Sequence, residues 1–269
     1  MDLEIFQTTF TQRAILGALL LSLLTSLWGV FVVLKKQAFL SDAVAHASIL
    51  GIALGLYLGI YPLYLAIVIA IIFAIALTYL RNRSIQTNDT LIGIIYSLFF
   101  ALGLIVLSRT TGVKVDLDSY LFGSLFGIST EELTMLSILL GISVIYLAKN
   151  FKQVLYSTFD PENAYLQGIN VRKNEYLINI FLSITVIAAI KAVGLIMLSA
   201  LLLAPAATAR SLAKRFSQVI PMAAIISVLG SITGLIISLS FDLPAGASIV
   251  VVLSFIFLLS NIYSAYSHK

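Results

Sequence analysis

Nine apolar runs follow one another along the chain, at residues 14–34, 43–60, 62–80, 90–108, 133–148, 176–193, 194–209, 219–240 and 244–264. In a stretch such as Leu63 to Leu80 the apolar residues occupy every face. That is neither the two-residue alternation of a half-buried strand nor the one-sided stripe of a water-exposed helix. A helix needs about 20 such residues to cross a hydrocarbon layer of roughly 30 Å. The pattern therefore predicts an all-α, polytopic transmembrane helix bundle of eight or nine crossings. It excludes a barrel, whose strands alternate lipid-facing and lumen-facing residues. The count turns on 176–193 and 194–209, which Gly194 alone separates. If the second run crosses there are nine spans; if it enters and leaves on one face there are eight.

Composition narrows this further. Of 269 residues 60% are hydrophobic and only 10% charged, with a mean hydropathy of +1.07, whereas soluble domains carry about 25% charged residues. The spans use up the length, so we expect one transmembrane domain over 1–269 and no soluble catalytic domain. The first run lacks a small-residue cleavage pattern and reads as a retained span. The absence of cysteine removes disulfides and thiolate metal sites. Basic residues alternate between loops. Lys35, Lys36, Arg81, Arg83, Lys149, Lys152, Arg172, Lys173, Arg210, Lys214, Arg215 and Lys269 fall on one side, and Arg13, Arg109, Lys114 and Lys191 on the other. The richer side is assigned to the cytoplasm, which puts the N-terminus outside and the C-terminus inside. The outer loop after the fourth run carries Asp116, Asp118, Glu131 and Glu132. Its Tyr120–Gly127 stretch is apolar, too short to span, and fits an interfacial helix, a plug or a loop on the headgroups.

Ionisable residues inside apolar spans are costly and so mark function. Asp42 and His46 open the second span four residues apart, about 40° around a helix. A carboxylate and an imidazole on one face suit a borderline divalent metal. Ser41 as an N-cap with Asp42 in the first turn explains the carboxylate without any metal, but not a histidine one turn deeper among alanines. Gly51, Gly55 and Gly59 form a small-residue stripe on another face, suited to close helix packing. One chain offers two ligands; a two-fold dimer would offer four, matching zinc's coordination number. Between Lys149 and Glu175, Asp160 reads as an N-cap, Pro161 as the first helical residue, Glu162 as first-turn acid and Gly168 as the stop. They predict a two-turn helix outside the bilayer, within about 158–170. Lys191 is expected to snorkel to the headgroups, or else to take a pathway role paired with Asp242. Pro205 marks a packing kink or a hinge.

Several blocks resemble the zinc/manganese permeases of ATP-binding-cassette (ABC) importers. They are Gly29–Lys36 followed by Leu40-Ser41-Asp42-Ala43-Val44-Ala45-His46-Ala47, Val115–Gly123, Val193–Ile196 with Leu203–Ala209, and Leu243-Pro244-Ala245-Gly246-Ala247. They run in order over nearly the whole chain. The resemblance implies a homodimeric, multi-pass permease in a bacterial plasma membrane. It would work with cytosolic ABC ATPase subunits and an extracytoplasmic metal-binding protein. It implies that Asp42 and His46 are the metal ligands, and that the helix between Asp160 and Gly168 couples to the ATPase through Glu162, Ala164 and Gly168. The transported ion would be Zn²⁺, with Mn²⁺ second; ATP would bind the partner, and no permanent cofactor is implied. The absence of G-x-x-x-x-G-K-[ST] and H-E-x-x-H fits a non-enzymatic chain, and nothing points to nucleic acid. An ion-coupled secondary transporter would be expected to show inverted repeats and more intramembrane carboxylates. A permease for a metal chelate or vitamin would need a wide cavity but no Asp/His pair.

Overall fold

The computed structural model describes residues 8–110 and 123–267. Among them are ten α-helices: α1 Thr9–Leu34, α2 Phe39–Leu58, α3 Pro62–Arg81, α4 Asn88–Arg109, α5 Thr130–Phe159, α6 Pro161–Leu166, α7 Val171–Val193, α8 Leu195–Leu212, α9 Phe216–Phe241 and α10 Ala245–Ser267. Eight of these are long and apolar enough to cross a membrane. The ninth long helix, α8, has 18 residues, about 27 Å at the helical rise of 1.5 Å per residue. Every predicted run is a helix. Most extend outward into the flanking polar residues, because backbone hydrogen bonding does not stop where apolar composition does. The extreme case is α5, 30 residues long. The predicted inner loop from Lys149 is therefore helical to Phe159, and α6 follows after Asp160 alone.

The chain forms two compact units. One comprises residues 1–33, 117–142 and 188–269; the other comprises 34–116 and 143–187. The first unit packs α8, α9 and α10 on one another, with Trp28 and Phe31 of α1 fully buried. Inside it the Ser22 hydroxyl donates to Ser231 Oγ at 2.7 Å. Buried hydroxyls joining two helices are the polar glue expected where lipid supplies no hydrophobic drive to association.

The second unit is centred on α2, packed between α3 and α4. A Cβ on Gly51 would overlap Ala66 of α3, one on Gly55 would stand 2.6 Å from Pro62 Cα, and one on Gly103 of α4 would stand 2.8 Å from Leu50 N. The expected glycine stripe is thus in backbone contact at Gly51 and Gly55. Gly59 does something else. At φ 68° it ends α2, and Ile60 N–H returns to Gly55 O at 2.9 Å, the six-to-one bond of a left-handed helix terminus. Three polar links tie α7 to its neighbours: Asn174 to Ser157 Oγ at 3.2 Å, Glu175 to Arg81 at 3.1 Å, and Asn179 to Thr78 Oγ1 at 2.8 Å.

Candidate metal site and coupling helix

Asp42 and His46 lie in the first two turns of α2. Their neighbours Ser41, Ala43, Val44, Ala45, Ala47 and Ser48 are buried, whereas Asp42 and His46 are half-buried. The helix begins earlier than the capping argument predicted. Ala38 precedes it with no side-chain cap, and Ser41 instead sits inside, donating to Ala38 O at 3.2 Å. The physical reason lies two residues upstream of Ala38: Lys36 takes up the chain reversal at φ 54°, and Leu40 N–H already bonds Gln37 O. Asp42 keeps its place in the first turn, where the helix dipole favours a carboxylate.

His46 is held by main chain. Its Nδ1 lies 2.7 Å from the carbonyl oxygen of Asp42. A carbonyl only accepts, so Nδ1 carries a proton, and in the neutral ring the Nε2 lone pair is left for an electrophile. Metal-binding histidines have this arrangement, their second ring nitrogen donating to a carbonyl or carboxylate. On α4, the rings of Tyr96 and Phe100 each stand 5.8 Å from the imidazole centroid. The sequence reading missed both residues, although their four-residue spacing puts them on one face of that helix. Among the described residues no three His, Asp or Glu side chains gather in one place. Asp42 and His46 thus stand one turn apart on α2 with no third such group gathered beside them among the described residues.

The short helix α6 is built as predicted. Asp160 caps it, accepting from Asn163 N at 3.0 Å. The Asn163 side-chain amide and then this backbone donor hold the Asp160 carboxyl below its usual range. Pro161 is first in the helix. At the other end Gly168 has φ 76°, and Ile169 N–H returns to Ala164 O at 3.0 Å. Ala164 is fully buried, while Tyr165 and Leu166 are 76% and 80% exposed. A cleft of about 1150 Å³ runs beside them, lined among others by Glu162, Arg172, Asn82 and Glu175.

At the joint between α1 and α2, Lys35 interacts with Glu175 and Arg81. Burial lowers its ammonium from 10.5 to about 8; Glu175 opposes the fall and the Arg81 charge adds to it. Between those values the unfolded chain holds a proton that the folded chain has shed. The contribution of this lysine to stability therefore rises as pH climbs from about 8 towards 10.5. Thermal melting of the detergent-solubilised protein across that window should show this slope, and Lys35→Met should remove it. Parallel curves for the two proteins would refute the assignment.

Other predicted residues go elsewhere. Lys191 Nζ bonds Glu132 Oε1, a partner the sequence reading did not name. Glu132 is 8% exposed. It sits in a reciprocal cap, Ser129 N–H to Glu132 Oε2 at 2.9 Å and Glu132 N–H to Ser129 Oγ at 3.2 Å. The Ser129-Thr130-Glu131-Glu132 spelling is the capping-box signature and was legible in the sequence. Asp242 ends α9 in the left-handed region at φ 53°. Pro205 lies within α8, which continues helically on both sides. Of the outer loop, Asp116, Asp118 and Tyr120–Phe122 lie outside the described residues. The rest folds into the first unit: Leu125–Gly127 is a single 3₁₀ turn. Leu125 there is 2% exposed, and the Phe126 ring packs edge-on against Phe10.

Comparison with known proteins gives consistent results. The family model described as the ABC 3 transport family matches residues 7–264. The chain is 37% identical over 247 residues to the high-affinity zinc uptake system membrane protein ZnuB of Haemophilus influenzae, covering 92% of this chain and 95% of that one. It is 31% identical over 260 residues to the manganese transport system membrane protein MntC of Listeria monocytogenes, covering 97% and 92%. Among solved structures it superposes on PsaBC from Streptococcus pneumoniae in complex with Fab. That match has a TM-score of 0.84 and 31% identity, and covers 96% of this chain and 93% of the other.

Proposed function

We propose a mechanism that starts from one fact: the chain belongs to the ABC 3 transport family. It is a multi-pass membrane permease subunit of an ABC importer for divalent metal ions, with zinc as the cargo. The observation that carries this reading is the α2 pair. A carboxylate and an imidazole stand one turn apart on a half-buried face, and the histidine's Nδ1 is already committed to a carbonyl. A two-fold dimer would bring two such pairs together as four donors. Four mixed nitrogen and oxygen ligands suit tetrahedral Zn²⁺; Mn²⁺ favours a larger, oxygen-rich set. The opening of the pair within one chain supports transport over storage, because a site completed only in one arrangement of two subunits can release its ion in another.

The remaining parts follow from the same chemistry. The chain has no phosphate-binding loop, so ATP is bound and hydrolysed on cytosolic partner subunits. The helix α6 serves as their lever: its caps at both ends make it a rigid body, and Tyr165 and Leu166 stand out from it beside the cleft. The positive-inside rule assigns Arg210, in the last turn of α8, and Lys214 and Arg215 beyond it to the cytoplasmic side. On the outer side an extracytoplasmic metal-binding protein delivers the ion. Pro205, whose missing N–H weakens α8 locally, is the hinge.

Uptake assays in vesicles holding the permease with its ATPase test the cargo. Excess unlabelled Zn²⁺ should suppress ⁶⁵Zn uptake far better than Mn²⁺ does at the same concentration. The reverse order would make manganese the cargo. ATP-independent uptake would restore the secondary-transporter reading.

A further inference from the structure

We propose that Tyr96 and Phe100 of α4 are positioning residues for His46, clamping its imidazole so that Nε2 is the ring nitrogen presented to a divalent cation. This rests on the reading of Asp42 and His46 as the metal pair, and it adds residues on a second helix to that site.

The geometry carries it. Two rings four residues apart on α4 stand at 5.8 Å from the imidazole, one inclined at 49° and the other edge-on at 74°. Their helix cannot drift from α2, because Gly103 brings it to within van der Waals contact of the Leu50 backbone. A histidine side chain has two rotatable bonds, and a half-turn about the outer one exchanges Nδ1 for Cδ2. That exchange breaks the 2.7 Å bond to Asp42 O and removes the reason for the proton to stay on Nδ1. The two aromatic rings crowd the path of the rotation. Free histidine in water favours the opposite tautomer, with the proton on Nε2, where no metal can bind until it leaves. The clamp therefore delivers a ligand already in its binding form and saves the reorientation that a loose imidazole would need. Two exposed or lipid-facing phenyl rings could be exchanged for leucine without consequence. Rings that fix a ligand's orientation could not.

The chain has only two histidines, His46 and His268, so ¹⁵N-histidine NMR of the whole detergent-solubilised protein resolves His46 once His268→Gln has assigned the other. At a pH where the imidazole is neutral, the wild-type spectrum should show Nδ1 protonated and Nε2 bare. In Phe100→Leu the Nε2-protonated form should become populated. The KM for Zn²⁺ in vesicle uptake should rise about 10-fold, the range seen when groups that orient metal ligands are removed, with the maximal rate little changed. Phe100→Tyr, which keeps a ring, should behave as wild type. A wild-type His46 protonated on Nε2 overturns the inference without any variant. So does Phe100→Leu with an unchanged tautomer and KM. Normal uptake in His46→Ala would instead sink the metal-pair reading itself, while the tautomer measurement would still decide whether the clamp orients the ring.

Discussion

Replacing His46 by alanine should lower Zn²⁺ uptake to background, at least about 100-fold below wild type, while the permease still assembles with its ATPase. Losing an orienting group costs 10- to 100-fold in metal affinity; losing the ligand itself would, in the proposed dimer, remove two of four donors. Assembly should survive because α6 carries its own caps, Asp160 at one end and Gly168 at the other, and its buried Ala164 does not depend on the imidazole. Asp42→Asn should follow His46→Ala in direction, since the amide keeps the shape and loses the charge. Its effect should be smaller, because the backbone carbonyl that holds His46 is untouched. The measurement is ⁶⁵Zn uptake beside co-purification of the ATPase. Normal uptake with either variant would remove the residue from the pathway. Loss of co-purification would assign it to folding instead.

Gly123→Ala should be strongly damaging to the first unit, costing about 2–6 kcal/mol of stability from backbone strain and overpacking together. Gly123 has φ 65°, and a Cβ there would overlap the main chain of Val193 and Gly194. Gly194 is itself at φ 86°, ψ 158°, a region open only to glycine. Two backbones meet with no side chain between them, so nothing flexible can yield. Beside this contact, Ser124 N–H bonds Lys191 O at 3.1 Å, and the Lys191 side chain reaches Glu132. Opening the corner therefore loosens the outer turn and the α7–α8 junction together. Gly141→Ala is the control: it lies within α5, its Cβ would meet nothing within 4 Å, and alanine should gain up to about 1 kcal/mol there from helix propensity. Thermal melting in detergent separates the two. Equal melting temperatures would show that the corner is not closely packed in the membrane protein.

Much of this protein was written along the chain. Lipid permits a spanning backbone little choice, because each N–H and C=O must be satisfied within its own segment. Apolar length therefore located the nine long helices found among the described residues. The caps of α6 were equally legible, since Asp160, Pro161 and Gly168 act within a few residues of themselves. So was the placing of Asp42 and His46 one turn apart near the start of α2.

Other features needed the tertiary structure, because they depend on residues far apart in sequence. Nothing near Lys191 announces Glu132, 59 residues away, and the chemistry of a lysine near a span end favoured the headgroups instead. Gly59 looked like one more small residue in a stripe until the chain was seen to turn there. The tautomer of His46 was undecided until α2 placed Asp42 O at its Nδ1. The rings that crowd it come from α4, a helix that the sequence showed only as an apolar run. Sequence determined which segments cross the membrane and which side chains are costly enough there to matter; only the packing of helices fixed how those side chains are oriented and by whom, because orientation is set by contacts across the bundle and not along the chain.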